Sequence, residues 1–416
     1  MPRRALLRAL VILTLAAAFA PLACGGPGLD AGLAEARRLR IAGRPAEALV
    51  LLNGLDKRHP GDARVLYERA EALHATGKED QALADTSAAL QAQPDLFDAQ
   101  VLHGVLQAAT GHEQEGLATL RRMVATDPNR AGVHRAMAII QAKEGRLGPA
   151  VAQFELELKN HPNDAATLTD VGVFYLQTGQ MENATDRLAR AAALPDAPAK
   201  AHQYYAEILF KQAKREEGLA EQRKALALAP DDGELIVNHA RALVGYGHPE
   251  EATKVLEAAL ARGVQDPRVL LERARQAREA LDYPGATDYL TRAIALDPSL
   301  AEAQMDLGKV HLFQGHLAEA RAAFEAARRL APTDAYAPYY LANLLADEGH
   351  YDEAVPLLER SLELDPLNPK AHYSLAQAYQ RLGRAEEAKG EFAKHGEILR
   401  RLREAGTMSG TATSAD

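Results

Sequence analysis

"GHYDEAVPLLERSLELDP" occupies Gly349–Pro366, and "GHLAEARAAFEAARRLAP" occupies Gly315–Pro332, 34 residues earlier. Both open with Gly-His, carry Ala five residues after the Gly and close on Pro. The spacing extends well beyond this pair. Pro60, Pro94, Pro128, Pro162, Pro230, Pro298, Pro332 and Pro366 are separated by 34 residues or by twice that interval. With each Pro at position 32, units begin at 29, 63, 97, 131, 165, 199, 233, 267, 301, 335 and 369, and the last ends at 402. Eleven units fit without insertion or deletion, and such a period marks a repeat architecture.

Three further positions recur. Position 15 is Gly in nine units, from Gly43 to Gly383. Positions 8 and 20 are Ala or Gly in all eleven, for example Ala36, Gly104 and Gly308 at the first and Ala48, Gly116 and Gly218 at the second. Apolar residues at helical spacing on either side of position 15 predict two helices per unit. Gly there supplies the positive backbone angle that ends the first helix, and Pro at 32 stops the second. Small residues at 8 and 20 let the paired backbones approach closely, and Phe154, Leu188, Phe324, Leu358 and Phe392 at position 24 fill the seam to the next unit. Asp62, Asn129, Asp164, Asp232, Ser299, Asp334 and Asn368 are expected to cap the following helices.

On these residues the chain resembles the tetratricopeptide repeat family. The resemblance covers residues 29–402 and implies an all-α, right-handed α-solenoid superhelix of eleven helix-turn-helix units. The aromatic residue common at position 4 of such repeats is replaced, by Leu66, Gln100 and His372 among others. At 263–267 position 32 is Val264 in place of Pro, Gly263 and Pro267 do the breaking, and the segment is expected to divide units 29–266 from units 267–402. The polar, aperiodic residues 403–416 are expected to be disordered.

The chain's start has another character. Arg3, Arg4 and Arg8 precede the uncharged apolar run Ala9–Ala20, and the one cysteine, Cys24, follows in "FAPLACGGPG". This resembles a bacterial lipoprotein signal, with residues 1–23 removed, Cys24 lipidated and 24–28 a short tether. Pro21 departs from the aliphatic residue usual there. The expected location is the cell envelope, lipid-anchored, at the outer membrane facing the periplasm in a Gram-negative cell; secretion is the alternative. The net charge of −9 and the lack of a basic run argue against nucleic acid as a partner.

The repeats leave no space for a separate catalytic domain, and no phosphate loop, nucleophile elbow or metal motif occurs. No enzyme activity, cofactor or metal is therefore expected. His112, His248, His316 and His350, all at position 16, read as solvated turn residues. What remains is the concave face, which the resemblance assigns to positions 2, 5, 6, 9, 12 and 13 of the first helices. Units three to five are bland there (Val101, Leu102, Val105, Ile139, Val173, Leu176). The unit from 199 offers Tyr204 and Phe210. The last two offer Tyr336, Tyr339, Tyr340, Asn343, Lys370, Tyr373, Gln377 and Arg381. Tyrosines with amides and cations suit extended peptides or proteins as partners. A polysaccharide, or an enzyme held by the array, is the alternative partner.

Overall fold

The computed structural model describes residues 28–410. Among these residues the secondary structure consists of 22 α-helices and their connecting turns. The chain divides into two compact units, one ending at Leu235 and the other beginning at Ile236. The first carries α1 (Leu29–Ile41), α2 (Pro45–Arg58), α3 (Ala63–Ala75), α4 (Glu79–Ala92), α5 (Phe97–Ala109), α6 (Glu113–Thr126), α7 (Val133–Lys143), α8 (Leu147–Asn160), α9 (Ala165–Gln177), α10 (Met181–Ala192), α11 (Ala199–Lys211) and α12 (Arg215–Leu228). The boundary falls inside α13 (Gly233–Gly245). The second carries α14 (Pro249–Ala261), α15 (Pro267–Glu279), α16 (Tyr283–Leu296), α17 (Ala301–Phe313), α18 (Leu317–Leu330), α19 (Tyr336–Asp347), α20 (Tyr351–Leu364), α21 (Pro369–Arg381) and α22 (Ala385–Gly410).

Nine of the eleven odd-numbered helices begin on the first residue of a 34-residue unit. Only α7 and α19 start later, at Val133 and Tyr336. Odd helices pack on the even helices that follow them, and those pack on the next odd helix, so each unit is a stack of helical pairs. Position 15 has positive φ throughout: the nine glycines adopt it, and so do Ala213 (φ 60°) and Leu281 (φ 61°). The turn geometry is therefore imposed by the register, even where the residue disfavours it.

The small residues sit at the crossings. Ala48, Ala70, Ala82, Ala320 and Ala354 are fully buried. A Cβ on Gly308 would lie 2.5 Å from the Phe324 ring, and one on Gly172 would lie 2.6 Å from Leu188. The large residues at position 24 thus occupy the space vacated at position 8. Phe154, Leu188, Phe324 and Leu358 are buried, and Phe154 also meets Phe174 of the next pair at 6.2 Å between centroids.

In three units position 4 has a reason for losing its aromatic residue. His134, His202 and His372 are buried there. Each reaches position 23 of its own pair: Gln153 at 2.7 Å, Glu221 at 2.6 Å and Glu391 at 2.5 Å. A polar tie replaces an apolar contact, and burial without such a partner would be costly.

Asp62, Asp164, Asp232, Asp334 and Asn368 accept backbone hydrogen bonds at helix starts as expected. Asn129 and Ser299 do not cap. Ser299 stands one residue ahead of the N-cap Leu300 and Asn129 three residues ahead of the N-cap Gly132, and the backbone N–H groups of Asn129 and Ser299 donate to Asp127 and Asp297. The segment 263–267 is not where the compact units divide. Gly263 (φ 88°) closes α14, and Asp266 caps α15 through the Arg268 N–H at 2.8 Å, so this loop does the ordinary work of its position. The rest of the segment expected to be disordered, 411–416, lies outside the described residues, while α22 continues past Arg403 to Gly410. No Pro interrupts it, and Glu397–Arg401 and Arg400–Glu404 pair along its exposed side.

Within the first unit, Gly43 meets a distant segment. A Cβ there would lie 2.9 Å from Asp232 Cα and N, and Arg44 reaches Asp231 at 3.7 Å.

Candidate functional site

The odd helices carry a ladder of side chains between neighbouring pairs. Position 9 of one pair reaches position 6 of the next, 31 residues on. Arg37 donates to Glu68 at 2.9 Å, and Arg40, one turn later, approaches Glu68 at 3.7 Å and Glu71 at 3.4 Å. The same arrangement returns in the second unit. Arg241 donates to Glu272 at 2.8 Å and Arg275 to Asp306 at 2.8 Å. Arg278 lies 3.6 Å and Lys309 3.0 Å from Asp306. The carboxylates are nearly buried, with side-chain exposures of 3% for Glu68, 9% for Glu272 and 8% for Asp306. Burial pushes the Asp306 carboxyl up, but Lys309 and Arg275 more than offset this and hold it below the usual carboxylate range. At Asp170 the balance reverses: burial dominates, and Arg135 and Lys200 do not bring the carboxyl back down.

Beyond Asp306 the rungs change chemistry. Lys309 stands 6.0 Å above the Tyr340 ring. Asn343 accepts from Ser374 at 2.9 Å while its amide donates to the Tyr339 carbonyl at 2.9 Å. This joins α19 to α21 and fixes the floor of the tyrosine patch. Tyr340 stacks on Phe324 at 4.9 Å with an interplanar angle of 8°, and Tyr339 meets Tyr340 edge-on at 5.2 Å. Burial pushes both phenols up. Tyr336 is 50% exposed and Tyr373 44% exposed. Tyr373 stands against Phe392 at 5.8 Å and His395 at 5.3 Å. Lys370, Gln377 and Arg381 are exposed on α21.

The expected site residues thus fall into two layers. Tyr336, Lys370, Tyr373, Gln377 and Arg381 form an accessible layer on two neighbouring helices. Tyr339, Tyr340 and Asn343 form the support beneath. Tyr204 and Phe210 belong to the first compact unit. Tyr204 is half-buried, 5.9 Å from Lys200. Phe210 packs against Gly218, where a Cβ would lie 2.4 Å from its ring; it serves the α11–α12 crossing because Gly at position 20 leaves a space. The charge ladder was not anticipated, although opposite charges recurring 31 residues apart would have signalled it.

The four position-16 histidines are the residues preceding α6, α14, α18 and α20, and none caps through its side chain. His316 neighbours the His311 ring at 5.8 Å. Among the described residues no group of three or more His, Cys, Asp or Glu is placed to hold a metal, and no helix is long and apolar enough to cross a membrane. Cys24 lies outside the described residues.

Sequence profiles of the tetratricopeptide repeat match residues 33–97, 237–299, 271–335 and 345–400, together just over half of the chain. The chain belongs to the tetratricopeptide repeat family. As a tetratricopeptide repeat protein it is a protein-interaction scaffold. A curated relative, protein O-mannosyl-transferase TMTC1 of Homo sapiens, is 28% identical over 187 residues, 43% of this chain. The match spans about a fifth (21%) of that relative's length. Among solved structures, the APC/C hetero-tetramer Cut9-Hcn1 aligns over 84% of this chain and 90% of that one, at 14% identity and a TM-score of 0.47. MamA (residues 41 to the end) from Desulfovibrio magneticus RS-1 aligns over 41% of this chain and 96% of its own, at 25% identity and a TM-score of 0.37.

Proposed function

We propose that this tetratricopeptide repeat protein is a non-enzymatic scaffold that holds extended peptide segments of partner proteins against α19 and α21. The carrying observation is the layered tyrosine patch. Tyr336 and Tyr373 offer exposed aromatic area, and Lys370, Gln377 and Arg381 offer donors beside it. Tyr339, Tyr340 and Asn343 are already fixed by packing and hydrogen bonds. A preorganised aromatic surface loses little entropy when a ligand lands on it. The test is a peptide-array screen with the full chain, repeated with Tyr336→Ala/Tyr373→Ala. Selective capture of peptides by the wild type, lost in the double variant at unchanged helicity, supports the reading. Capture of glycans alone, with peptides ignored, replaces it with the polysaccharide alternative. The name of the mannosyl-transferase relative makes that alternative, or an array held beside a separate enzyme, the reading to set against it.

The anchoring proposal rests on Cys24 and the residues before it. The scaffold would be tethered by lipid in the bacterial envelope and act in envelope assembly or secretion. Metabolic labelling with a fatty acid tests this: label present in the wild type and absent from Cys24→Ala supports the anchor, and equal labelling of both removes it.

A further inference from the structure

Clefts recur where two successive even-numbered helices straddle the odd helix between them. One, of about 620 Å³, lies over α21 between α20 and α22. Another, of about 760 Å³, lies over α5 between α4 and α6. Their linings coincide in the repeat register: Gln100 stands where His372 stands, His103 for Leu375, Gln107 for Tyr379, Thr119 for Glu391 and Arg122 for Lys394. The chemistry differs. In the C-terminal cleft the charges satisfy one another. Glu391 takes His372 at 2.5 Å and Lys394 at 2.8 Å, and the Tyr379 hydroxyl donates to Glu359 at 2.7 Å.

The cleft over α5 lacks this closure. Among the eleven units only this one has polar residues at positions 4, 7 and 11 together. With Thr119 in place of an acid, Arg122 makes only a 3.4 Å contact with the Thr119 hydroxyl. Arg130 lies 4.0 Å above the Phe97 ring. Asp95 and Asp127 line the same cleft, and the Asp127 carboxylate accepts only the Asn129 backbone N–H, at 3.2 Å. Among the described residues no ion pair involves Arg122, Arg130, Asp95 or Asp127, in a chain whose charges are widely paired elsewhere. The amides are oriented from within. Gln100 donates to the Pro94 carbonyl at 2.7 Å, and Gln107 accepts from Thr119 at 3.1 Å. Leu90, Phe97 and Met123 supply apolar wall.

We propose that this cleft binds a small zwitterion with an apolar body, its anionic group taken by Arg122 and Arg130 and its cationic group by Asp95 and Asp127. Unpaired charges of both signs in one cleft are complementary to a ligand carrying both. Charge-assisted hydrogen bonds to guanidinium give such a ligand orientation, and the volume suits a molecule of dipeptide size. The site is independent of the tyrosine patch.

Calorimetric titration of the full chain with the dipeptide Leu-Phe tests the assignment, alongside its N-acetyl and C-amide forms and inorganic phosphate. The expected result is saturable binding of one dipeptide per chain. Capping either terminus should weaken it at least tenfold, as should Arg122→Gln or Asp95→Asn, both at exposed positions, with helicity unchanged. The assignment is overturned if the dipeptide shows no saturable heat, if a capped form or phosphate binds equally well, or if binding survives both substitutions.

Discussion

A Cβ placed on Gly116 would lie 2.3 Å from the carbonyl oxygen of Gly104. These two residues hold positions 20 and 8 of one pair, and α5 and α6 cross there backbone to backbone. Replacing Gly116 with Ala gains helix propensity of about 1 kcal/mol, but the obstacle is main chain and cannot rotate away. The expected net effect is a loss of about 1–3 kcal/mol from overpacking, read as a lower urea midpoint. Gly54, in α2, is the control, because a Cβ placed on it would meet nothing within 4 Å; Gly54→Ala should stabilise by about 1 kcal/mol.

Ala213 and Leu281 hold the left-handed turn conformation without being glycine. Each bears a steric cost of about 1–2 kcal/mol, partly balanced by the greater freedom glycine loses on folding. Ala213→Gly and Leu281→Gly should each raise stability, by about 0.5–1 kcal/mol. Leu281 is 69% exposed, so little packing is sacrificed. Thermal melts of the two variants check this, and a lowered midpoint in both would contradict it.

Asp306 and Glu391 have carboxyls held below their ordinary values, Asp306 against burial by Lys309 and Arg275, Glu391 against burial by Lys394 and His372. A depressed folded pKa stabilises fully above the unfolded value of about 4 and is lost as pH falls through the folded value. Stability should therefore drop on acidification below about pH 4, with a shallower drop in Asp306→Asn. At neutral pH, Asp306→Ala leaves Arg275, Arg278 and Lys309 without their shared carboxylate and should cost about 3 kcal/mol. Denaturant titrations from neutral pH to about pH 3 measure both.

Tyr336→Ala and Tyr340→Ala should behave differently. Tyr336 is half exposed, and its removal should leave the melting temperature nearly unchanged while weakening peptide capture at least tenfold. Tyr340 stacks on Phe324, and its removal should cost about 2 kcal/mol of stability, below the range for a fully buried aromatic. Equal melting shifts in the two variants would refute the layering.

The period, the helical pairs and the turns were legible because each rests on a backbone need met at fixed places within one 34-residue unit: a positive φ at position 15, close approach at 8 and 20, a stop at 32. Side-chain direction was harder to read. Tyr340 is drawn down by Phe324 from the preceding pair, and Phe210 by the space at Gly218; both depend on a residue outside their own helix. The ladder through Glu68, Glu272 and Asp306 was hidden for the same cause, since each rung is a relation between two units. Ser299 failed as a cap by one residue and Asn129 by three, because α7 starts late, a scale finer than the spacing of prolines resolves.

The approach of Gly43 to Asp232 joins segments far apart in the chain, whereas nearly every other contact in the first unit links adjacent pairs. Neighbouring pairs can assemble in any order and need only each other. This latch has to wait until the pairs between its halves are in place, so it belongs among the last events of folding. A chain cut short before Asp232 would therefore leave its opening turn bare, and damage near the middle of the sequence would be felt at its beginning.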